Sequence, residues 1–449
     1  MTPSSGDTAW VLISAALVLL MTPGLALFYG GMVRSKSVLN MMMMSFGALG
    51  LISVLWVLYG YSLAFGNDVA GGLVGNFDFA GLEGLLKASP LGGVEGEAAG
   101  IPPMAFVAFQ AVFAIITVAL ISGAIADRAK FGSWMVFAGV WATVVYFPVA
   151  HWVFAFDGYT AEIGGWIAND LKAIDFAGGT AVHINAGAAG LALALVLGKR
   201  IGFGKEPIRP HNLTLVMIGA GLLWFGWFGF NAGSALGAGN TAAVAFINTM
   251  VATAAASLAW LATEKIRDGH ATSLGAASGV VAGLVAITPA CSAVNPVGAI
   301  IIGIVAGALC ALAVGLKYRL GYDDSLDVVG VHLVGGIVGT LMIGIIATEK
   351  APAAVNGLLY GGGLDQLWRQ AVAAGAVMAF SFIAAFVIGT VISKTIGFRI
   401  ADEDEINGVD LATHAESAYE LGTTGGAGFR PGPGVGATAD AMNKERVQA

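Results

Sequence analysis

The segment AGGTAVHINAGAAG, residues 177–190, consists almost entirely of small and apolar residues, yet a histidine, His183, lies near its middle. It belongs to a longer stretch, residues 176–198, that contains no Asp, Glu, Lys or Arg. About 20 apolar residues are enough to cross the hydrocarbon core of a bilayer as an α-helix. The segment therefore predicts a transmembrane helix that holds an ionisable side chain.

The composition of the whole chain agrees with a membrane protein. Of its 449 residues, 57% are hydrophobic and only 11% are charged, whereas a soluble domain carries about 25% charged residues. Backbone groups inside a bilayer must be satisfied within the protein, which favours helices for such long apolar segments. The stretches without Asp, Glu, Lys or Arg are 8–33, 37–67, 98–126, 131–156, 176–198, 210–263, 269–316, 328–348 and 370–393.

Two of these stretches are long enough for two helices each. Residues 210–263 contain a turn-like segment, NAGSALGAGN at 231–240, and residues 269–316 are interrupted by TPACSAVNP at 288–296. The N-terminal apolar run has no basic region before it, so we interpret it as the first span rather than a cleaved signal. The sequence thus predicts an all-α polytopic membrane protein with eleven transmembrane helices.

Three regions follow from this count. Residues 1–396 form the transmembrane domain, with the eleventh span at about 368–394. Residues 397–421 are polar and acidic, and composition alone leaves open whether they form an ordered docking segment or a solvated tail. Residues 422–449 are rich in Gly, Ala and Pro and are predicted to be disordered.

Basic residues are distributed unequally between alternate loops. Lys and Arg favour cytoplasmic loops, so this distribution predicts an outside N-terminus and a cytoplasmic C-terminus. The loops after the even spans hold only Lys87, Lys172, Lys350 and Arg369; the loops after the odd spans hold Arg34, Lys36, Arg128, Lys130, Lys199, Arg200, Lys205, Arg209, Lys265, Arg267, Lys317 and Arg319.

Spans one to five and six to ten form two halves that begin on opposite sides of the membrane, because five is odd. This arrangement predicts an inverted repeat, a recurring architecture of transporters. The tenth span contains VGVHLVGGIVGT, residues 329–340, which resembles the fifth span in placing one histidine, His332, among glycines. The two histidines are therefore predicted to meet near the axis between the halves.

An ionisable residue within a membrane span is a functional candidate that faces a pore or the bundle interior. The structural alternative is a neutral imidazole satisfied by a hydrogen bond between helices. Two facing neutral rings would each offer one N–H and one bare nitrogen, which suits a small neutral or deprotonating molecule better than a strong anion. The matched positions of His183 and His332 favour the functional interpretation.

Aromatic residues cluster where several spans end. Phe109 and Phe113 are one helical turn apart on one face of span three, and span six ends with Trp227, Phe230 and Ser234. These residues fit either an interfacial aromatic belt or a cation site, since desolvated aromatic faces attract small cations.

Two aspartates lie just before the histidine-bearing spans. Asp175 precedes span five and fits either a helix-capping residue or a source of negative charge at the outer mouth of a pore. Asp327 precedes His332 by five positions, and we expect it to be structural. The two cysteines, Cys291 and Cys310, form no metal-ligand or disulfide pattern, so the sequence predicts no metal site and no cofactor.

Many ordered motifs identify the chain with a known group of proteins. Over about residues 10–420 it closely resembles the ammonium transporter family of bacteria, archaea and plants. The motifs are MTPGLALFYGGMVRSKSVLNMMMM, LYGYSLAFG, AFQAVFAIIT, DFAGGTAVHINAGAAGL, LGKRIGFGKEPIRPHNL, WFGWFGFNAGSA, AFINTMVATAAA, AITPAC and DVVGVHLVGGIVGT.

This resemblance implies a homotrimer in the plasma or inner membrane, with one narrow hydrophobic pore in each subunit. It implies that ammonium is recruited outside, loses its proton, and passes the pore histidines as ammonia. It also implies that a PII-type signalling protein docks on the cytoplasmic face and on residues 397–421. The family's pore histidines fall on His183 and His332, and its recruitment site, gate and mouth aspartate fall on Phe109, Phe113, Phe230, Ser234 and Asp175.

One position departs from the family pattern. Many members place a tryptophan three positions after the histidine of span four, where this chain has Phe154 after His151. Phenylalanine is a weaker cation–π partner than tryptophan, so this substitution bears on affinity at the mouth.

Two other functions are compatible with this fold: an ammonium sensor with little flux, and a Rhesus-type channel for a neutral gas. The residues after 421 are of low complexity and are expected to leave no space for an added signalling domain, and the motifs follow the ammonium branch, so transport is preferred. The sequence contains no phosphate loop, HExxH or Ser/His/Asp arrangement, and we predict neither an enzyme nor a nucleic-acid partner.

Overall fold

A computed structural model of the chain describes residues 3–87, 89–92, 100–206 and 208–419. Within these ranges the protein is helical, and its only strand-like features are isolated bridges between loop residues. The tail that was predicted to be disordered, residues 422–449, lies outside the described residues. The all-helical prediction is confirmed for the described part of the chain.

Ten of the described helices are long and apolar enough to cross a membrane, and each overlaps one predicted span. The span predicted between 269 and 288 is a shorter apolar helix of 15 residues. In chain order the helices are α1 Ser5–Met32, α2 Val38–Phe65, α3 Pro103–Ile125, α4 Phe131–Phe154, α5 Gly179–Leu197, α6 Leu213–Gly233, α7 Asn240–Asp268, the shorter α8 Ser273–Ile287, α9 Pro296–Leu320, α10 Val329–Ile346 and α11 Asp365–Thr395.

Capping residues explain several helix boundaries. The hydroxyl of Thr272 accepts a hydrogen bond from the Gly275 amide at 2.8 Å at the start of α8. The side chain of Asn295 accepts one from the Gly298 amide at 2.8 Å, and a proline follows it at the first position of α9. These contacts satisfy amides that have no partner within the helix.

Glycines allow the helices to pack at short distances. Gly303 and Gly307 of α9 lie against the backbone of α7 at Ala252 and Ala256, where an added Cβ atom would collide with carbonyl oxygens. Small residues at such positions are typical of close helix contacts in membranes. Space inside the bundle is consequently limited.

A network of buried charges joins the loops at one end of the bundle, which we call the basic end. The Arg200 guanidinium donates to both carboxylate oxygens of Asp323 and to Asp127, all at 2.9 Å. The fully buried Arg128 donates to the Ser325 hydroxyl at 2.5 Å and to the Asp323 carbonyl at 2.6 Å. This network fixes the loop that precedes α10.

The polar segment after α11 packs against the basic end in two short helices, α12 Asp402–Asn407 and α13 Val409–His414. The Glu405 carboxylate accepts hydrogen bonds from the Ile201 amide and the Arg399 guanidinium, both at 2.7 Å. The Asp410 carboxylate accepts from the amides of Leu39 at 3.0 Å and Asn40 at 2.8 Å, at the start of α2. This segment is therefore attached to the loop after α5 and to the start of α2.

Candidate functional site

His183 and His332 meet in the middle of the bundle. Each lies in a π-type turn at the start of its helix, Gly179–Ile184 in α5 and Val329–Leu333 in α10. Their Nδ1 atoms are 3.3 Å apart, and both side chains are almost completely buried. Wide turns of this kind are frequent at functional sites.

The contact between the two rings determines where their protons lie. One Nδ1 must donate and the other must accept, so two neutral rings adopt opposite tautomers. One Nε2 then carries a proton and the other is bare. Among the described residues, the Nε2 atom of His183 has no hydrogen-bond partner. The pair therefore offers a donor and an acceptor to a molecule beside it.

A narrow space beside the rings forms what we call the histidine cavity. The volume open to the centre of a water molecule is only about 10 Å³, close to the minimum that holds one water. Apart from the imidazoles and one indole, its lining side chains are aliphatic, phenyl or thioether groups. The lining residues are Met21, Leu25, Phe28, Ile116, Leu120, Val182, His183, Leu223, Trp227, Phe230, Val281 and His332.

Trp227 forms the wall behind His183. The two rings stack with centroids 5.4 Å apart and an interplanar angle of 21°. The Trp227 indole N–H donates to the Thr288 hydroxyl at 2.8 Å, and that hydroxyl donates to the Leu284 carbonyl at 2.7 Å. This chain of hydrogen bonds fixes the plane of the indole, and the stacked indole in turn orients the imidazole ring of His183.

A second space, the aromatic cavity, lies beyond a pair of phenylalanines. The rings of Phe113 and Phe230 stack with centroids 4.2 Å apart, and each ring lines a different cavity. The aromatic cavity has about 220 Å³ open to the centre of a water molecule. Its lining residues are Phe106, Phe109, Gln110, Phe113, Phe154, Phe156, Tyr159, Asp175, Phe176, Ser234 and Leu236.

The structure thus divides the predicted site residues between two neighbouring cavities. Phe109, Phe113, Phe154, Asp175 and Ser234 line the aromatic cavity. The two histidines, Trp227 and Phe230 line the histidine cavity.

Two polar residues in the aromatic cavity make contrasting contacts. The Ser234 hydroxyl donates to the Phe230 carbonyl at 2.8 Å, which leaves its oxygen lone pairs available. The Asp175 carboxylate accepts from the amides of Gly178 at 2.7 Å, Gly179 at 2.6 Å and Thr180 at 2.7 Å, and also from the Thr180 hydroxyl. Asp175 therefore caps α5, and its oxygens are already engaged by the protein.

Sequence reasoning missed several residues of the aromatic cavity. Phe106 and Gln110 share a face of α3 with Phe109 and Phe113, because their spacing of three, four and seven positions repeats with the helix, and this signal could have found them. Tyr159 belongs to the loop between α4 and α5, where no periodic pattern exists.

The aspartate that matches Asp175 at the start of α10 is Asp324. It precedes His332 by eight positions, as Asp175 precedes His183. Its carboxylate accepts from the amides of Val328 at 3.1 Å and Val329 at 2.7 Å. Asp327, which drew notice in the sequence, instead binds the Lys317 ammonium at 2.7 Å.

Burial makes the Asp324 carboxyl a weaker acid. Desolvation raises the pKa of its carboxyl to about 6, although the Lys317 charge opposes the shift. A carboxyl that is desolvated in this way holds its proton more tightly than one in water.

The ten described helices that are long and apolar enough to cross a bilayer define a multi-pass membrane protein, with two small cavities inside its bundle. The model of the Ammonium Transporter Family matches residues 9–419, and the chain belongs to this family. The resemblance found in the sequence motifs is confirmed.

Relatives and solved structures agree with this assignment. The chain is 61% identical over 445 residues to an ammonium transporter of Mycobacterium tuberculosis, covering 96% of this chain and 93% of the relative. It is 47% identical to an ammonium transporter of Bacillus subtilis, covering 92% and 98%. Among solved structures it is similar to Mep2 of Saccharomyces cerevisiae, with a TM-score of 0.79, 33% identity and coverage of 90% and 91%. It is also similar to a structure described as a sensor Amt protein, with a TM-score of 0.82, 29% identity and coverage of 91% and 98%.

Proposed function

We propose that this protein recruits ammonium at the aromatic cavity, removes its proton, and conducts ammonia through the histidine cavity into the cytoplasm. The observation that carries this proposal is the pair of imidazole nitrogens 3.3 Å apart in an otherwise apolar space for about one small molecule. Ammonia has both N–H donors and a lone pair, so it complements one bare nitrogen and one N–H.

The energetics favour transfer of the neutral form. Moving an isolated ammonium-sized ion into a low-dielectric interior costs several kcal/mol or more, and no carboxylate lines the histidine cavity. Loss of the proton before the Phe113–Phe230 stack avoids this cost. The proton either returns to the external solvent or crosses separately, so both an electroneutral and an electrogenic cycle are compatible with the proposal.

The aromatic cavity suits the charged form of the substrate. The rings of Phe109, Phe113 and Phe154 supply faces that attract a small cation, and the Ser234 oxygen supplies a hydrogen-bond acceptor. The Phe230 and Trp227 rings continue this aromatic wall towards His183. Asp175 contributes negative charge within the wall while it caps α5.

The architecture proposed with this function has eleven transmembrane helices, of which α1–α5 and α6–α10 form an inverted repeat and α11 stands apart. The capped π-type turns that carry His183 and His332 support the repeat, because both helices begin in the same way. We place the N-terminus outside and the basic end in the cytoplasm of a cell with this protein in its plasma or inner membrane. The assembly is a homotrimer, and a PII-type protein docks on residues 397–421.

Methylammonium uptake by cells that lack other ammonium transporters tests this function. We expect His183→Ala and His332→Ala each to lower uptake by about tenfold or more, because each variant lacks one of the polar groups that the substrate contacts. His270→Ala is a matched control, because that histidine is exposed in the loop before α8. Uptake that is unchanged in both pore variants would contradict the histidine mechanism.

A sensor with little flux is the competing function, and one of the similar structures is described as a sensor Amt protein. The relatives at 61% and 47% identity are named as transporters, which supports transport in this chain. Flux in liposomes separates the two functions. A Rhesus-type channel for another neutral gas would show flux that does not depend on ammonium.

A further inference from the structure

Tyr159 is a residue of the aromatic cavity that the sequence motifs do not mark. It lies in the loop between α4 and α5, is partly buried, and lines the cavity together with Phe154 and Ser234. We propose that Tyr159 is a substrate-recognition residue that sets the affinity of the aromatic cavity for small ammonium cations. This inference rests on the proposed function and names a residue for its first step.

The loop holds Tyr159 in a defined position. Gly158, at a φ of +72°, donates from its amide to the Ala161 carbonyl at 2.8 Å, which closes a tight turn around Tyr159. The Asn169 side chain accepts from the Asp157 amide at 3.0 Å and donates to the Ala155 carbonyl at 2.9 Å. The loop is therefore fastened on both sides of the tyrosine.

The tyrosine ring packs against the wall of the cavity. Its centroid lies 5.6 Å from that of Phe106, with an interplanar angle of 68°, a favourable edge-to-face arrangement. Phe106 in turn packs on Phe65 with centroids 4.9 Å apart. Tyr159 thus extends an aromatic cluster of the bundle to the edge of the cavity.

The chemistry of tyrosine complements what the cavity otherwise provides. Phenylalanine rings offer cation–π attraction but no hydrogen-bond acceptor, and the Asp175 oxygens already accept several protein hydrogen bonds. An ammonium ion has four N–H donors. Tyr159 adds a further ring to the lining of the cavity and a hydroxyl oxygen, an acceptor that the phenylalanines lack.

The hydroxyl remains protonated under physiological conditions. Burial raises the pKa of Tyr159 to about 12. The group therefore acts as a neutral acceptor and adds no fixed negative charge at the entrance.

Ammonium-dependent transport by the full-length protein in liposomes tests the proposal. Tyr159→Leu keeps an apolar side chain but removes the aromatic face, and we expect it to raise the half-saturating ammonium concentration about 3- to 10-fold with little change in maximal rate. Tyr159→Phe removes only the hydroxyl and should raise it about twofold. Tyr360→Leu is the control, because Tyr360 is 48% exposed and lines neither cavity.

A rescue variant separates recognition from a structural role of the loop. Tryptophan is the strongest cation–π partner among the aromatic residues, so Phe154→Trp in the Tyr159→Leu protein should recover at least half of the lost affinity. A loop that has merely lost its packing would not recover in this way. Two results would overturn the proposal. One is a half-saturating ammonium concentration of Tyr159→Leu equal to that of the unchanged protein, and the other is failure of Phe154→Trp to restore the affinity.

A binding measurement distinguishes this proposal from the proposed function. Ammonium chloride, compared with sodium chloride, should raise the apparent melting temperature of the purified protein, and Tyr159→Leu should need about 3- to 10-fold more ammonium for the same shift. If this shift occurs without any transport, the proposed function fails and the recognition role stands. If transport occurs and the variant matches the unchanged protein in both assays, the recognition role fails and the proposed function stands.

Discussion

The beginnings of α5 and α10 are built alike but lie in different surroundings. Each has an aspartate eight positions before a histidine, and each aspartate caps amides that lead into a π-type turn. At the start of α5, Asp175 binds the amides of its own helix and the Thr180 hydroxyl, and it borders the aromatic cavity.

The start of α10 lies among charges. The Lys317 ammonium donates to the Asp324 carbonyl at 3.0 Å and to the Asp327 carboxylate at 2.7 Å, and the Arg200–Asp323 pair adjoins it in sequence. A capped turn thus leads to each buried histidine, whereas fixed charges surround only the cap of α10. This difference supports the proposed recruitment of substrate at the α5 end, and it gives the charged α10 end a role in anchoring the loops.

The anchoring role gives the largest expected effect on stability. Arg200→Met would leave the carboxylates of Asp127 and Asp323 buried without their main partner, and loss of one member of such a pair costs about 3–5 kcal/mol. We expect a clear fall in the apparent melting temperature of the detergent-solubilised protein. Arg209→Met, at an exposed position of the same loop, should have almost no effect. Equal apparent melting temperatures of the Arg200→Met and Arg209→Met proteins would contradict the anchoring role of Arg200.

The two capping aspartates should differ in how much stability and uptake are lost when each is replaced by alanine. Asp175→Ala leaves at least three buried amides unpartnered, whereas Asp324→Ala leaves two. Since an unsatisfied buried donor costs about 1–3 kcal/mol, we expect the larger loss of stability and of methylammonium uptake in Asp175→Ala. A larger loss of uptake and of melting temperature in Asp324→Ala than in Asp175→Ala would contradict this ranking of the two caps.

The smallest effect concerns the pH dependence of stability. Burial raises the pKa of Asp324 in the folded protein to about 6, whereas the ordinary value of 3.8 applies in the unfolded chain. The folded protein therefore binds this proton more tightly than the unfolded chain does. The stabilisation by this group is complete below pH 3.8 and is lost as the pH rises through about 6.

Asp324→Asn should remove this part of the pH dependence. Between pH 4.5 and 7, the difference in apparent melting temperature between the variant and the unchanged protein should move by about 2–4 °C in favour of the variant as the pH rises. A difference that stays constant with pH would show that Asp324 does not titrate in this range.

Much of the fold could be predicted from the sequence, because the bilayer imposes a length and a composition on each spanning helix. The ends of the individual helices could be predicted less well from the sequence. Helix α7 continues past the charge-free stretch through Lys265 and Arg267 to Asp268, since a helix can extend into water beyond the hydrocarbon. Helix α8 ends at Ile287 before an irregular segment, and its length could not be derived from hydrophobicity alone.

The site was predictable where it depends on periodicity and on matched positions. Phe109 and Phe113 belong to a regular α-helix, so their spacing indicates the face that they share. His183 and His332 lie in π-type turns and are marked instead by their matched positions in α5 and α10. Tyr159 depends on a loop that is held by Asn169, ten positions further along the chain, and such contacts between irregular segments leave no periodic signal.

The stacked rings of Phe113 and Phe230 have a consequence for the energy supply of the cell. With centroids 4.2 Å apart, they stand between the aromatic cavity and the histidine cavity. In the electroneutral form of the proposed cycle, ammonia passes these rings as a neutral molecule and its proton returns to the external solvent. Under that cycle, a membrane could hold many copies of this protein without dissipating the proton gradient that drives ATP synthesis.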